Sequence, residues 1–172
     1  MNNCVGIQKK VFFVFGKPKS GKDFFISMVQ AKAAGAIRLS IIDRIFEAAK
    51  MLGWDGIKND RSRAFLNALK RASVEYNDYL FLDLEKKIAT KNFDSAFVIF
   101  RNYEDALRLK KLLAYPVTFV LMKSVDIIDG SNIDDRVSYP DEWFDVIIDN
   151  QKREYMDLSE KVEKFIEEHL CG

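Results

Sequence analysis

Short, continuous apolar runs alternate along this chain with longer stretches whose apolar residues recur every three or four positions. Val11–Phe15 (VFFVF) is unbroken β-branched and aromatic sequence, the pattern of a strand buried on both faces. Residues 23–34 read as a helix, and Ala36–Ser40 (AIRLS) as a short second strand. Ile41–Leu52 places Ile41, Ile42, Ile45, Phe46, Ala49 and Leu52 on one helical face, with Gly53 as the stop. After a polar turn around Trp54–Asp60, Phe65, Leu69, Ala72, Tyr76, Leu80, Leu84 and Ile88 keep helical spacing, and Asn77-Asp78 offers a break. Ala96–Phe100 is the third strand, Tyr103–Ala114 a helix, Val117–Met122 the fourth strand and Val146–Ile148 the fifth. Asp157 and Glu160 form an N-cap signal for a last helix that buries Leu158, Val162, Phe165, Ile166 and Leu170. Strands separated by helices require crossover connections, so the expected fold is α/β: a parallel sheet covered by helices on both faces.

The connection after the first strand carries the clearest chemistry. Gly16-Lys17-Pro18-Lys19-Ser20-Gly21-Lys22-Asp23 stands between a buried strand and a helix, the setting in which a glycine-rich loop cradles phosphate. Two glycines let the backbone turn sharply enough for successive N–H groups to face one anion, and the helix adds the positive end of its dipole. Lys22 is spaced to reach the β- and γ-phosphates of a nucleoside triphosphate. Asp23 takes the place where a hydroxyl residue commonly holds Mg²⁺. Two readings of Asp23 stand side by side: a carboxylate on the metal side of the phosphates, or a first-turn acid favoured by the helix dipole.

Composition narrows the remaining classes. A chain of 172 residues that is 48 % hydrophobic and 31 % charged can build a packed core, and one domain spanning 1–172 is the simplest reading. Its net charge of +1 and the lack of a basic stripe argue against a nucleic-acid binder, so any phosphate binding is local. The 14 phenylalanines suit packing better than a base-stacking surface. Trp54, in a turn between apolar helices, reads first as a core plug and second as a stacking partner for a base. Cys4 and Cys171 belong to no metal pattern, and the single His169 lies in a charged tail. The N-terminus has no signal-like apolar segment and VFFVF is too short for a membrane span, which leads to the expectation of a cytoplasmic protein with no membrane partner.

The string GKPKSGKDF resembles the loop of a divergent group of P-loop kinases that ends in SGKD. The group includes the deoxynucleoside monophosphate kinases of some bacteriophages and the animal-type phosphomevalonate kinases. Gly53-Trp54-Asp55-Gly56-Ile57-Lys58, followed by Asp60 and Arg63, is similar to a W-D-G-x-K stretch of phage-type kinases and phage-associated proteins. The resemblance implies a three-layer α/β/α fold with five parallel strands in the order 2-3-1-4-5, and a short lid-like insertion at about 124–139. It implies ATP and Mg²⁺ as the donor pair, with Gly16 to Asp23 around the phosphates and Asp23 on the metal. It also implies a nucleotide and a small phosphorylated substrate as partners.

By position, the resemblance makes Arg38, Ser40 and Asp43 candidate acceptor contacts after the second strand, joined by Arg61 and Arg63 as clamps on an acceptor phosphate. Arg101, directly after the third strand, and Arg136, in the lid region, would meet the transferred phosphoryl group beside Lys22. Arginine suits these places because its planar fork meets phosphate oxygens in pairs. Plain alternatives exist: Arg61 and Arg63 as exposed cations at a helix start, Arg38 as a strand flank. Three functions therefore stand at this point. They are an ATP-dependent kinase of a (deoxy)nucleoside monophosphate, a kinase of a non-nucleotide phosphate, and a nucleotide-binding regulatory protein with weak catalysis. The third strand's lack of an acidic residue and the single arginine between 124 and 139 favour the last.

Overall fold

A computed structural model describes residues 9–57, 59–124, 139–152 and 154–171. The elements run β1 (Lys10–Phe15), α1 (Lys22–Lys32), β2 (Ala36–Leu39), α2 (Asp43–Met51), α3 (Asp60–Tyr76), α4 (Tyr79–Thr90), β3 (Ser95–Ile99), α5 (Tyr103–Leu112), β4 (Val117–Lys123), β5 (Val146–Asp149) and α6 (Tyr155–His169). All five strands pair in parallel, in the order β2-β3-β1-β4-β5. This is the expected order, and it puts the VFFVF strand at the centre, with Phe13 registered against Val98 on one side and Phe119 on the other.

Alternation along β1 divides its side chains between two cores. Val11, Phe13 and Phe15 pack with residues of α2, α4 and α5, whereas Phe12 and Val14 pack with α1 and α6. Successive side chains of a strand point to opposite faces, so an unbroken apolar run needs helices on both. Aromatic contacts tie the layers together. The Phe165 ring of α6 lies 5.2 Å from Phe12, 5.2 Å from Phe25 and 6.0 Å from Phe97. On the other face, Phe15 contacts Phe100 and Phe119 at 5.8 Å each.

Local chemistry sets the element ends. The long helical stretch breaks at Asn77-Asp78, as its pattern suggests, and Asn77 Oδ1 accepts from the Tyr79 N–H at 2.9 Å. Its first half starts at Asp60, earlier than the apolar periodicity begins, because Asn59 caps it by accepting from the Ser62 N–H at 2.8 Å. The last helix also starts earlier than expected. Its cap position is Glu154 and not Asp157, whose carboxylate sits in the helix's first turn, paired with Lys161 and Lys152. Trp54 is half-buried, packs on Phe46 at 5.4 Å and donates from Nε1 to the Ile57 carbonyl at 3.1 Å, which is the core-plug arrangement. Arg44 of α2 grips Asp83 of α4 through two hydrogen bonds of 3.0 and 2.8 Å. Among the described residues no helix is long and apolar enough to cross a membrane.

Candidate functional site

Parallel strands deliver all their carboxyl ends to one edge of the sheet, where open α/β folds place ligands. Here that edge collects Gly16 after β1, Ser40 near the end of β2, Phe100 and Arg101 after β3, Ser124 after β4 and Asn150 after β5. The connection between β1 and α1 is not extended. Gly16, Lys19 and Gly21 all have positive φ, at +143°, +61° and +93°, and the Ser20 N–H closes a turn onto the Lys17 carbonyl at 3.2 Å. Repeated left-handed residues curl the backbone into a concave nest whose amides can face one anion. The two glycines also have no room for a side chain. A Cβ on Gly16 would stand 2.5 Å from the Met122 carbonyl oxygen, and one on Gly21 would stand 2.6 Å from Asn150 Nδ2.

Lys22 closes the curl from inside. Its ammonium is buried and donates to the carbonyls of Gly16 and Lys17 at 2.7 Å each and to Ser20 Oγ at 3.1 Å. Burial pushes its pKa down to about 8, and repulsion from Arg101 adds to the shift while Asp23 opposes it. Arg101, directly after the third strand, lies near enough to Lys22 for the two charges to repel. Its backbone carbonyl accepts from the Tyr139 hydroxyl at 2.8 Å.

Asp23 stands in the first turn of α1, three-quarters exposed, with Oδ1 3.0 Å from the Arg38 guanidinium on β2. The residue singled out for the metal and one singled out for the acceptor thus form an ion pair. Ser40 is buried, and its Oγ accepts from the Ile42 N–H at 3.3 Å, supporting the turn into α2, which Asp43 opens. Arg61 and Arg63 are exposed in the first turn of α3, where Arg63 lies 3.6 Å from Asp60. Arg136, like most of the 124–139 insertion, lies outside the described residues.

One residue of the site carries no motif. Asn150, 130 positions from the loop in sequence, is buried directly behind it and donates from Nδ2 to the Ser20 carbonyl at 3.0 Å. Its own N–H donates to the Lys123 carbonyl at 2.7 Å, anchoring it between the ends of β4 and β5. Its Oδ1 is buried and finds no partner among the described residues. The only sequence signal was its place, immediately past the fifth strand.

The residues present fit a nucleoside triphosphate with its metal. The curled loop could receive an anion, Lys22 would supply the cation, and Asp23 would offer the oxygen donor that a hard ion takes alongside substrate phosphates. Among the described residues no cluster of three His, Cys, Asp or Glu could hold a metal by itself, so any such ion would depend on the bound phosphates for most of its ligands.

The same architecture recurs in solved structures. A protein of Thermus thermophilus matches over 96 % of this chain and all of its own, with a TM-score of 0.63 and 14 % identity. A candidate kinase from Chloroflexus aurantiacus matches over 96 % of this chain and 98 % of its own, at 0.60 and 15 %. Thymidylate kinase from Candida albicans matches over 94 % of this chain and 92 % of its own, at 0.51 and 13 %. The fold is P-loop kinase-like. No family model and no curated protein sequence matches the chain. Identities this low carry over the P-loop kinase-like architecture alone.

Proposed function

We propose that this protein transfers the γ-phosphoryl group of ATP, with Mg²⁺, to a small phosphorylated acceptor, a (deoxy)nucleoside monophosphate. The observation that carries the reading is the curled Gly16–Lys22 loop with the Lys22 ammonium inside it, at the carboxyl end of the central strand. Phosphoryl transfer asks little covalent chemistry of a protein. It asks for reactants held in line and for positive charge where negative charge is redistributed. Lys22 and the loop amides would hold the β- and γ-phosphates. Asp23 would hold the metal, which neutralises phosphate charge when bound. Arg101 and Arg136 would face the group in transfer. Arg38, Ser40, Asp43, Arg61 and Arg63 are the acceptor side of this reading.

The ion pair between Asp23 and Arg38 gives the two halves a physical link. Asp23 is three-quarters exposed and Arg38 partly so, so the pair is weak and can exchange partners when a cation and an anion arrive.

Incubation with Mg-ATP and a panel of deoxynucleoside and ribonucleoside monophosphates is the direct test. Acceptor-dependent ADP formation is expected, and it should be lost in Lys22→Ala and reduced at limiting Mg²⁺ in Asp23→Ala. A second reading, a nucleotide-binding protein with little turnover, is favoured by the absence of an acid where β3 is followed by Phe100 and Arg101, and by the single arginine between 124 and 139. Saturable ATP binding without ADP formation for any acceptor would select that reading and defeat the first.

A further inference from the structure

We propose that Asn150 is the positioning residue of the phosphate loop, and that its side-chain N–H sets the direction of the Gly21 amide. The inference rests on the reading of the loop as a phosphate nest and extends it to a residue with no motif. In a trans peptide the C=O and the following N–H point in opposite directions. Asn150 Nδ2 draws the Ser20 carbonyl back, toward the end of β5, at 3.0 Å. The N–H of Gly21 therefore projects the other way. Turning that peptide over would point a carbonyl oxygen where the N–H stood, and oxygen repels phosphate.

Three further observations support the assignment. Gly21 has φ +93° and packs so closely on Asn150 that a Cβ would stand 2.6 Å from Nδ2, so the amide and the loop are fitted to one another. Asn150 is itself fixed, 5 % exposed and tied through its backbone to Lys123. Its Oδ1 is buried without a partner among the described residues. A residue present only to fill space would be apolar there and would leave no orphaned oxygen. The donor is what the site retains, and the orphaned acceptor accompanies it.

The test compares Asn150→Leu, which keeps the shape and removes the donor, with Asn150→Asp, which replaces the donor by a charged acceptor. Each is measured for thermal midpoint, for the amide resonance of Gly21 by NMR, and for binding of Mg-ATP and inorganic tripolyphosphate by calorimetry. Asn150→Leu should hold a thermal midpoint near that of the parent, shift the Gly21 resonance, and weaken both ligands roughly tenfold, the size of one hydrogen bond. Asn150→Asp should weaken both further. Equal losses for ATP and tripolyphosphate place the effect on the phosphates and not on the base. Parent-like affinity and an unmoved Gly21 resonance in both variants would overturn the role of Asn150 and leave the phosphate nest standing. If the parent protein binds neither ligand, the nest reading falls and the assignment falls with it.

Discussion

Lys22 shows how one side chain can serve two states of the same loop. Within the curl its ammonium is shared among two carbonyls and a hydroxyl, which hold the backbone in shape. A phosphate entering the nest would compete for that ammonium with oxygens of full negative charge. Because the pKa stands near 8 and an anion raises it, binding takes up protons around that pH. Affinity for tripolyphosphate should fall as pH rises through 8, where Lys22 loses its proton. Calorimetry in buffers of different ionisation enthalpy should register proton uptake on binding near pH 8. A flat profile from pH 7 to 9.5 would remove Lys22 from the phosphate contacts. The same depressed pKa affects folding with the opposite sense. Between about 8 and the ordinary lysine value of 10.5 the unfolded chain binds more protons here than the folded one, so this group's contribution to stability grows with pH across that window.

At the scale of elements, the contact between α2 and α4 depends on a two-pronged grip. Arg44 reaches Asp83 with two hydrogen bonds and Glu47 with a third at 2.7 Å, while Lys87 approaches Asp83 from one turn along its own helix at 2.8 Å. These cations hold the Asp83 carboxyl below its usual range, first through the Arg44 hydrogen bond. A depressed carboxylate pKa adds stability above the unfolded value, and that stability is lost as pH falls through the folded one. Arg44→Ala should therefore lower stability at neutral pH, where the Asp83 carboxylate would lose its two-pronged partner. The deficit should shrink below pH 4, as read by urea denaturation at several pH values. An unchanged midpoint at neutral pH would show that packing alone joins the two helices. Element ends also show where sequence patterns mislead. The pair Asp157 and Glu160 has the spacing of a capping box, but Lys152 and Lys161 engage the Asp157 carboxylate inside the helix. Side chains can claim a capping residue for ion pairing, and spacing cannot reveal it.

Across the molecule, strand order and core were legible because both follow from patterns dense in local information. VFFVF read as a strand covered on both faces, and the two cores on its two sides are the result. The loop at 16–23 was equally plain, since each residue's role depends on its neighbours in sequence. Asn150 was not, because nothing near it in sequence says that Ser20 lies 3.0 Å away. The ion pair between Asp23 and Arg38 was hidden for the same reason: it exists only once β2 lies beyond β3 in the sheet. Long-range packing can be tested at Phe165, whose ring meets Phe12, Phe25 and Phe97 across three elements. Phe165→Ala should cost about 3–5 kcal/mol in urea unfolding. A cost below about 1 kcal/mol would mean that α6 only rests against the sheet, since that is less than such a buried ring is worth.

The bond from Asn150 to the loop has a bearing on synthesis. A ribosome makes the glycine-rich loop 130 residues before the amide that donates to its Ser20 carbonyl, which follows only after the fifth strand. A nascent chain emerging from the exit tunnel thus carries the curl long before it carries its brace. If the loop holds phosphate as proposed, full affinity would come late in the life of the polypeptide, once the sheet has closed at its far edge.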